Sequence, residues 1–442
     1  MRRSAVGPLG AVCCAFAIAA CSSGGGDELL SVVMISRHGI RSPTTDVASL
    51  NQYTSRAQGF PVWPVPEDGK GLLTDIGKLD AARLGAWYRD YYAARGLLPR
   101  RGTCPAAGKV YAYADVNQRT IQTAQAYLDG LFQGEATTDC GVEVNRASGS
   151  VDPYIVTFAT GKCAIDTAGD LEAFQARTGG AAGLIDTYST ELQLLQTITQ
   201  SPTPLVGLPA TVATTGYVRF DKGTLFDVAD DITETFQLEY AQGMPDAACT
   251  TTPGAACVGW EAIPPGGLDD LMKLHVMNIQ LYSGLPSFAQ VGSTNLLTQV
   301  VGTMDQALSG ARNPDVLAPV ESTFTLFVAH DVNLAAISAF LGGLSWKADG
   351  FAQDDPGPAG ALVFELHRAR RTQQLGVRLY YVIASLDQMR DQTTLTLETP
   401  PQRISLQVPA CGGRDECSYA EFRSFVTSNV RQDCIITAPP GR

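Results

Sequence analysis

His38 stands between two arginines, Arg37 and Arg41, in the stretch SVVMISRHGIRSPT that runs from Ser31 to Thr44. The stretch opens as an apolar run, Val32-Val33-Met34-Ile35, then breaks abruptly into charged residues and ends at Pro43. Guanidiniums are planar, permanently charged forks that suit the oxygens of a phosphate group. An imidazole beside them can act as a nucleophile or a base. Gly39 lets the backbone turn sharply beside a bound group. A second cation, Arg119, lies in Asp115-Val116-Asn117-Gln118-Arg119-Thr120, and a second imidazole is followed at once by a carboxylate in His330-Asp331. Together these residues could hold a tetrahedral anion, attack it and protonate what leaves.

Each cluster sits where an apolar run ends. Val32–Ile35 reads as a buried strand. Lys109 to Asp115 (KVYAYAD) alternates and is rich in aromatic residues, and Thr323 to Ala329 (TFTLFVA) is a third strong strand. Open α/β sheets bind ligands at the C-terminal ends of such strands. Arg119 falls at a helix start, where backbone N–H groups already favour an anion, and a cation opposes the helix dipole unless a ligand faces it. A further helix is expected from Asp75 to Arg95, with Ile76, Leu79, Leu84 and Trp87 on its buried face. From Ser148 to Leu285 helical periodicity replaces clear strands. Leu184–Ile198, Thr224–Tyr240 and Leu268–Tyr282 read as helices, the last carrying His275 on its apolar face. Ala361–Arg368 and Val377–Ala384 read as a hairpin added at the sheet edge, with His367 structural. The pairs Asp230–Asp231, Asp269–Asp270 and Asp354–Asp355 read as solvated faces or loops.

The chain has 442 residues, enough for two domains or for one core with a large insertion. We expect an α/β core over 29–147 and 286–442, with 148–285 inserted as a helical cap. The net charge of −12, without a basic stripe, argues against nucleic acid as a partner. Residues 1–21 read as a signal peptide: Arg2 and Arg3 precede the apolar Ala11–Ala20 segment, and Ile18-Ala19-Ala20-Cys21 resembles a bacterial lipoprotein cleavage box. Residues 22–28 then form a flexible linker. Lipid on Cys21 would anchor an exported bacterial protein in the periplasm or cell envelope; ordinary cleavage to a soluble product is the alternative. Eight cysteines lie beyond this segment, an even number that suits disulfides in an exported chain, with the pairing left open. Only four histidines are present, none at metal-ligand spacing, so neither a metal nor another cofactor is expected.

Arg37-His38-Gly39-x-Arg41-x-Pro43, five fixed residues in seven, resembles the signature of the histidine acid phosphatases, and His330-Asp331 resembles that family's second motif. The resemblance runs nearly the full mature length and is closest to the bacterial phytase and glucose-1-phosphatase branch. It implies a phosphoglycerate-mutase-like fold, a central mixed sheet flanked by helices, and a monomer acting on a small phosphorylated substrate. It also implies His38 as nucleophile, forming a phosphohistidine, and Asp331 as proton donor. Arg37, Arg41, Arg119 and His330 would hold the phosphoryl oxygens, and Thr44 would add a hydroxyl. Met244, in Gln242-Gly243-Met244-Pro245, and His275 match family positions near the substrate entrance; for His275 an interfacial, hydrogen-bonded role is the competing reading. Disulfides Cys104–Cys140, Cys163–Cys434 and Cys411–Cys417 are implied in the same way, which leaves Cys249–Cys257 as the fourth.

The substrate features are mixed. The YAYA strand and Gln118-Arg119-Thr120 look like glucose-1-phosphatases, whereas the ADV run and AQGMP look like phytases. Thr45 stands where phytases of this branch often carry Lys, and an Arg that they use after Tyr282 is missing here. The expected activity is an acid phosphomonoesterase acting on phytate or a sugar phosphate such as glucose 1-phosphate. Two rivals are a phosphoglycerate-mutase-like phosphotransferase, which export disfavours, and a silent surface lipoprotein that binds phosphorylated ligands.

Overall fold

The computed structural model describes residues 27–66, 69–133, 140–244 and 258–437. Cys21 and the pair Cys249–Cys257 lie outside them. Ten strands are present among the described residues: β1 Glu28–Arg37, β2 Val110–Ala114, β3 Val144–Asn145, β4 Val212–Ala213, β5 Arg219–Phe220, β6 Phe324–Ala329, β7 Ala361–Arg368, β8 Leu375–Ile383, β9 Gln402–Leu406 and β10 Glu416–Ser418. The helices are α1 Val47–Asn51, α2 Asp75–Ala94, α3 Gln118–Leu131, α4 Thr167–Thr178, α5 Gly180–Thr187, α6 Ser189–Thr199, α7 Leu225–Ala241, α8 Gly267–Ser283, α9 Pro286–Ser309, α10 Asp331–Phe340, α11 Leu386–Arg390 and α12 Tyr419–Asn429.

Eight strands form one mixed sheet in the order β10-β8-β7-β1-β6-β2-β3, with β9 also paired to β8. β1, β6, β2 and β3 run parallel, and β7 and β8 are antiparallel additions. All six residues of β6 are buried, as expected of a parallel strand covered on both faces. The β7–β8 hairpin does not sit at the edge: β7 pairs with β1, and β8 carries β9 and β10 beyond it. The added strands leave β1 in the interior of the sheet. Buried His367 on β7 places Nε2 3.0 Å from Glu365 Oε2.

Helix α2 begins where Thr74 caps Gly77 N–H at 3.0 Å. Its buried face differs from the apolar expectation. Leu79 is 41% exposed, while Gly77, Ala81, Leu84, Gly85, Trp87 and Tyr88 are buried. The face toward α3 is built from small residues: a Cβ on Gly85 would fall 2.1 Å from Tyr127 O, and one on Gly130 1.8 Å from Ala82 O. The helix expected over 184–198 is broken at Tyr188 into α5 and α6. Thr187 and Ser189 flank the break, and short hydroxyl residues compete for the backbone inside helices.

Two apolar cores result. The larger surrounds the sheet and includes Trp87, Tyr127, Leu297 and Phe422. The smaller is built mainly by α4 to α8 around Leu195, Phe226, Ile232 and Leu274. Helix α9 serves both, with Leu296 and Leu297 in the first and Phe288 in the second. Disulfides Cys104–Cys140, Cys163–Cys434 and Cys411–Cys417 are formed. Among the described residues no helix is long and apolar enough to cross a membrane.

Candidate active site

The three parallel strands end level with one another. Arg37 is in register with Ala329, and Ala114 with Val328. His38 N–H donates to Ala329 O at 3.1 Å, and Asp115 N–H to Val328 O at 3.1 Å. The first residues past β1, β6 and β2 are therefore His38, His330 and Asp115. The turn after His38 is fixed by close packing. Gly39 has no left-handed backbone; a Cβ there would meet Gly77 O at 2.9 Å, and one on Gly77 would meet Ile40 O at 2.2 Å. Gly39 is thus required for backbone approach to α2 rather than for a sharp turn.

His38 is 2% exposed, and its ring lies 5.6 Å from that of His330, edge to face. Nδ1 is 2.9 Å from Gly39 O. A carbonyl only accepts, so Nδ1 carries the hydrogen. Burial, then Arg119, Arg37, Arg41 and His330, push the His38 pKa well below the usual imidazole value. The ring is neutral, with its lone pair on Nε2.

The guanidiniums gather around it. Arg37 Nη1 donates to Pro356 O at 2.9 Å, and its Nη2 pairs with Asp331 Oδ2 at 2.9 Å and with Glu234 Oε1. Arg41 Nη2 contacts both Glu234 oxygens at 2.7 Å. Arg119 faces His38 and Arg41; burial and Arg41 lower its pKa to about 10. Gly71 lies between Arg119 and Thr44, where a Cβ would be 3.4 Å from Arg119 Nη1 and 3.3 Å from Thr44 Cγ2. Among the described residues, Arg37, Arg41 and Arg119 each bury an Nε–H with no acceptor. Buried donors without acceptors are costly and rare. Three in one cluster call for an anion.

His330 follows β6 and stands at the N-cap of α10, with Nε2 2.8 Å from Asp115 Oδ2. Asp331 is the first residue of that helix, and its Oδ1 accepts from Val332 N–H at 2.7 Å. Burial alone would raise the Asp331 pKa, but Arg37 outweighs it and holds the carboxylate below its ordinary value. His275, buried on α8, has Nδ1 2.6 Å from Asp230 Oδ1, while Asn278 Nδ2 fixes the other oxygen at 2.6 Å. Burial opposes its charge, yet Asp230 overcomes that and raises its pKa to about 9.

Six residues of the expected cradle, Arg37, His38, Arg41, Arg119, His330 and Asp331, come together, while Thr44 is exposed and turns its methyl toward Gly71 beside Arg119. His275 joins from below: Glu234, His275 and Asp331 each offer an atom within 4.8 Å of the others. A divalent cation could use that spacing, but Arg37 already bridges both carboxylates and His275 is cationic, so the charge is balanced without one. Met244 packs at the border of the larger core, and the described contacts do not tie it to the guanidiniums. Three members were not anticipated: Glu234, Asp115 and Asp230. Asp230 and Asp355 are not free surface residues. Asp230 is partly buried, its carboxylate held by His275 and Asn278, and Asp355 is buried and accepts from Gln237 Nε2 at 2.6 Å. The available signal was spacing. Asp227, Asp230 and Glu234 recur at three and four residues on a helix buried along most of its length, and buried carboxylates require partners.

Residues 28–164 match the model of the histidine phosphatase superfamily (branch 2). The chain is 32% identical to phytase AppA of Escherichia coli over 90% of its length and 91% of that protein. The chain belongs to branch 2 of the histidine phosphatase superfamily. This phosphatase is also 28% identical to a glucose-1-phosphatase of Salmonella typhimurium, over 92% of its own chain and 93% of that one. Its structure resembles the Citrobacter braakii phytase (TM-score 0.81, 27% identity, covering 93% of this chain and 100% of that one). The Hafnia alvei phytase in complex with tartrate is similar (TM-score 0.80, 28% identity, 93% and 99% covered). The phosphatase is a mixed α/β enzyme of the histidine acid phosphatase family.

Proposed function

We propose that this enzyme hydrolyses phosphomonoesters through a phosphohistidine on His38. The observation that carries the reading is the buried, neutral His38, whose one lone pair, on Nε2, lies among three guanidiniums. In the first step Nε2 bonds to phosphorus as the ester P–O bond breaks, and Asp331 gives its proton to the departing alkoxide oxygen. In the second, water attacks phosphorus and Asp331 takes its proton. The P–N bond breaks, releasing inorganic phosphate and neutral His38. Arg37, Arg41, Arg119 and His330 stabilise the equatorial oxygens throughout, and the N-terminus of α10 adds its dipole.

Asp331 must be protonated to act as the acid. In the free enzyme Arg37 keeps it ionised. A phosphoryl oxygen competes for the same Arg37 Nη2, and once that contact weakens, burial and Glu234 raise the pKa. Acid pH then favours the donor form.

The substrate is a phosphomonoester of a polyhydroxylated ring, phytate or glucose 1-phosphate. One contact favours the monophosphate: Thr45 Oγ1 donates to Asp231 Oδ2 at 2.5 Å, so the residue after the cradle is turned to a carboxylate and presents no cation to a second phosphate. We read the helices of 148–285 as a cap over the cradle, Met244 as a wall of its entrance, and the protein as a monomer in the cell envelope. The disulfides support export, and the lipoprotein-type box supports an anchor at Cys21. A substrate panel at about pH 4–5 (below the ordinary histidine pKa), with His38→Ala as control, tests the chemistry. His38→Ala should lower turnover at least about 1,000-fold. A folded, oxidised wild type without activity on any phosphomonoester would instead favour a binding protein.

A further inference from the structure

Asp115 lies at the level of the two histidines, yet no step above uses it. It is the first residue past β2, fully buried, and its backbone is pinned to the end of β6 through Val328 O. Its Oδ2 accepts from His330 Nε2 at 2.8 Å and also from Asn117 Nδ2, and the backbone of Val116 also bears on the carboxylate. An ionised carboxylate can only accept. Burial would raise its pKa, but the His330 contact prevails and holds Asp115 below its ordinary value, so the carboxylate is ionised at working pH. Nε2 of His330 therefore carries its hydrogen toward Asp115, and Nδ1 is the ring nitrogen left for another partner.

We infer that Asp115 is a positioning residue: it locks the His330 ring edge-on to His38, with Nε2–H held by the carboxylate and Nδ1 left for the transferred phosphoryl group. The inference rests on the proposed role of His330 at the phosphate. Arg37, Arg41 and Arg119 all bear on the neighbouring His38. The titratable groups facing His330 itself are Asp115 at the end of β2, His38 from the turn after β1 and Asp331 from α10. Asp331 is itself engaged by Arg37, so Asp115 is the carboxylate that holds the His330 ring. Asn117, which stands just before α3 and two residues before Arg119, turns its side chain to the same oxygen rather than to the helix and so couples the ring to the start of α3.

The test uses the oxidised full chain and Asp115→Asn, which keeps the shape and removes the charge. With p-nitrophenyl phosphate, kcat/KM should fall about 10–100-fold, the loss seen when the carboxylate behind a metal-bound imidazole is removed. The loss should fall on kcat more than on KM, because the ring is aligned for the phosphoryl group as it is transferred. A purely structural role would lower the folded fraction and leave the kcat of the folded enzyme unchanged. The chain has four histidines, so ring ¹⁵N spectra are tractable, with His330→Gln assigning the signal. Wild-type His330 should show one downfield Nε2–H, held by Asp115, that Asp115→Asn loses. If Asp115→Asn misfolds, the wild-type spectrum still decides. A wild-type His330 without a downfield Nε2–H, or a folded variant that keeps the wild-type kcat, overturns the inference. If that happens while His38→Ala remains inactive, the phosphatase mechanism stands and only the role of Asp115 falls.

Discussion

Glu234→Ala should destabilise the free enzyme, and inorganic phosphate should restore it. Glu234 supplies the only side-chain oxygens that contact both Arg37 and Arg41 among the described residues. Removing one partner of a buried ion pair costs about 3–5 kcal/mol, because the charge left behind is uncompensated. Here two guanidiniums lose the same counter-ion. For a chain of this length that corresponds to a fall in Tm of roughly 3–10 °C. The loss should persist at the acid pH of the assay. Burial opposes the Glu234 charge, but Arg41 and Arg37 hold its pKa far below the unfolded value. A depressed carboxylate gives its full stability above the unfolded pKa of about 4.3 and loses it only as the pH falls toward the native value. Phosphate should take the vacated contacts. At 100 times its Kd it adds about 2.7 kcal/mol, and its affinity should be higher in the variant, since the wild type must first loosen Glu234. Thermal melts with and without phosphate, at two pH values, read this directly. An unchanged Tm, or a smaller phosphate shift in the variant than in the wild type, would mean that Glu234 does not stand in for the substrate anion.

Two further outcomes follow from the site. Above the pKa of Asp331 in the complex, kcat should fall about tenfold per pH unit, and kcat/KM should begin its fall at lower pH, since Arg37 holds the free carboxylate down; a kcat flat from about pH 4 to 8 would rule out Asp331 as the donor. Thr45→Lys should break the contact with Asp231 and raise kcat/KM for phytate relative to glucose 1-phosphate by about two- to fivefold, the worth of one exposed ion pair, an advantage that salt should erase.

Much of the cradle was legible because each functional cluster follows an apolar strand directly. Val32–Ile35, Val110–Ala114 and Phe324–Ala329 could hardly be anything but buried, so the polar residues after them had to face the ligand end of a sheet. What escaped were the carboxylates. Asp115 was read only as the last residue of a strand. Asp230 and Glu234 sat on a helix whose charged positions read as solvated, because sequence does not reveal that α7 is covered on nearly every side. Leu79 misled for the opposite reason: α2 meets α3 through Gly77, Ala81 and Gly85, and a face of small residues carries little hydrophobic signal.

The strand order has a consequence for biosynthesis. Both neighbours of β1 come from beyond residue 323: β6 on one side, β7 on the other. β2 is separated from β1 by β6, so the first 164 residues, although they contain the signature, leave β1 without a hydrogen-bonded neighbour. During synthesis the run Val32-Val33-Met34-Ile35 must wait, with both edges bare, for nearly three hundred residues to emerge. Such an edge invites pairing with other chains. An amino-terminal fragment should therefore be a sticky, inactive polypeptide rather than a smaller phosphatase.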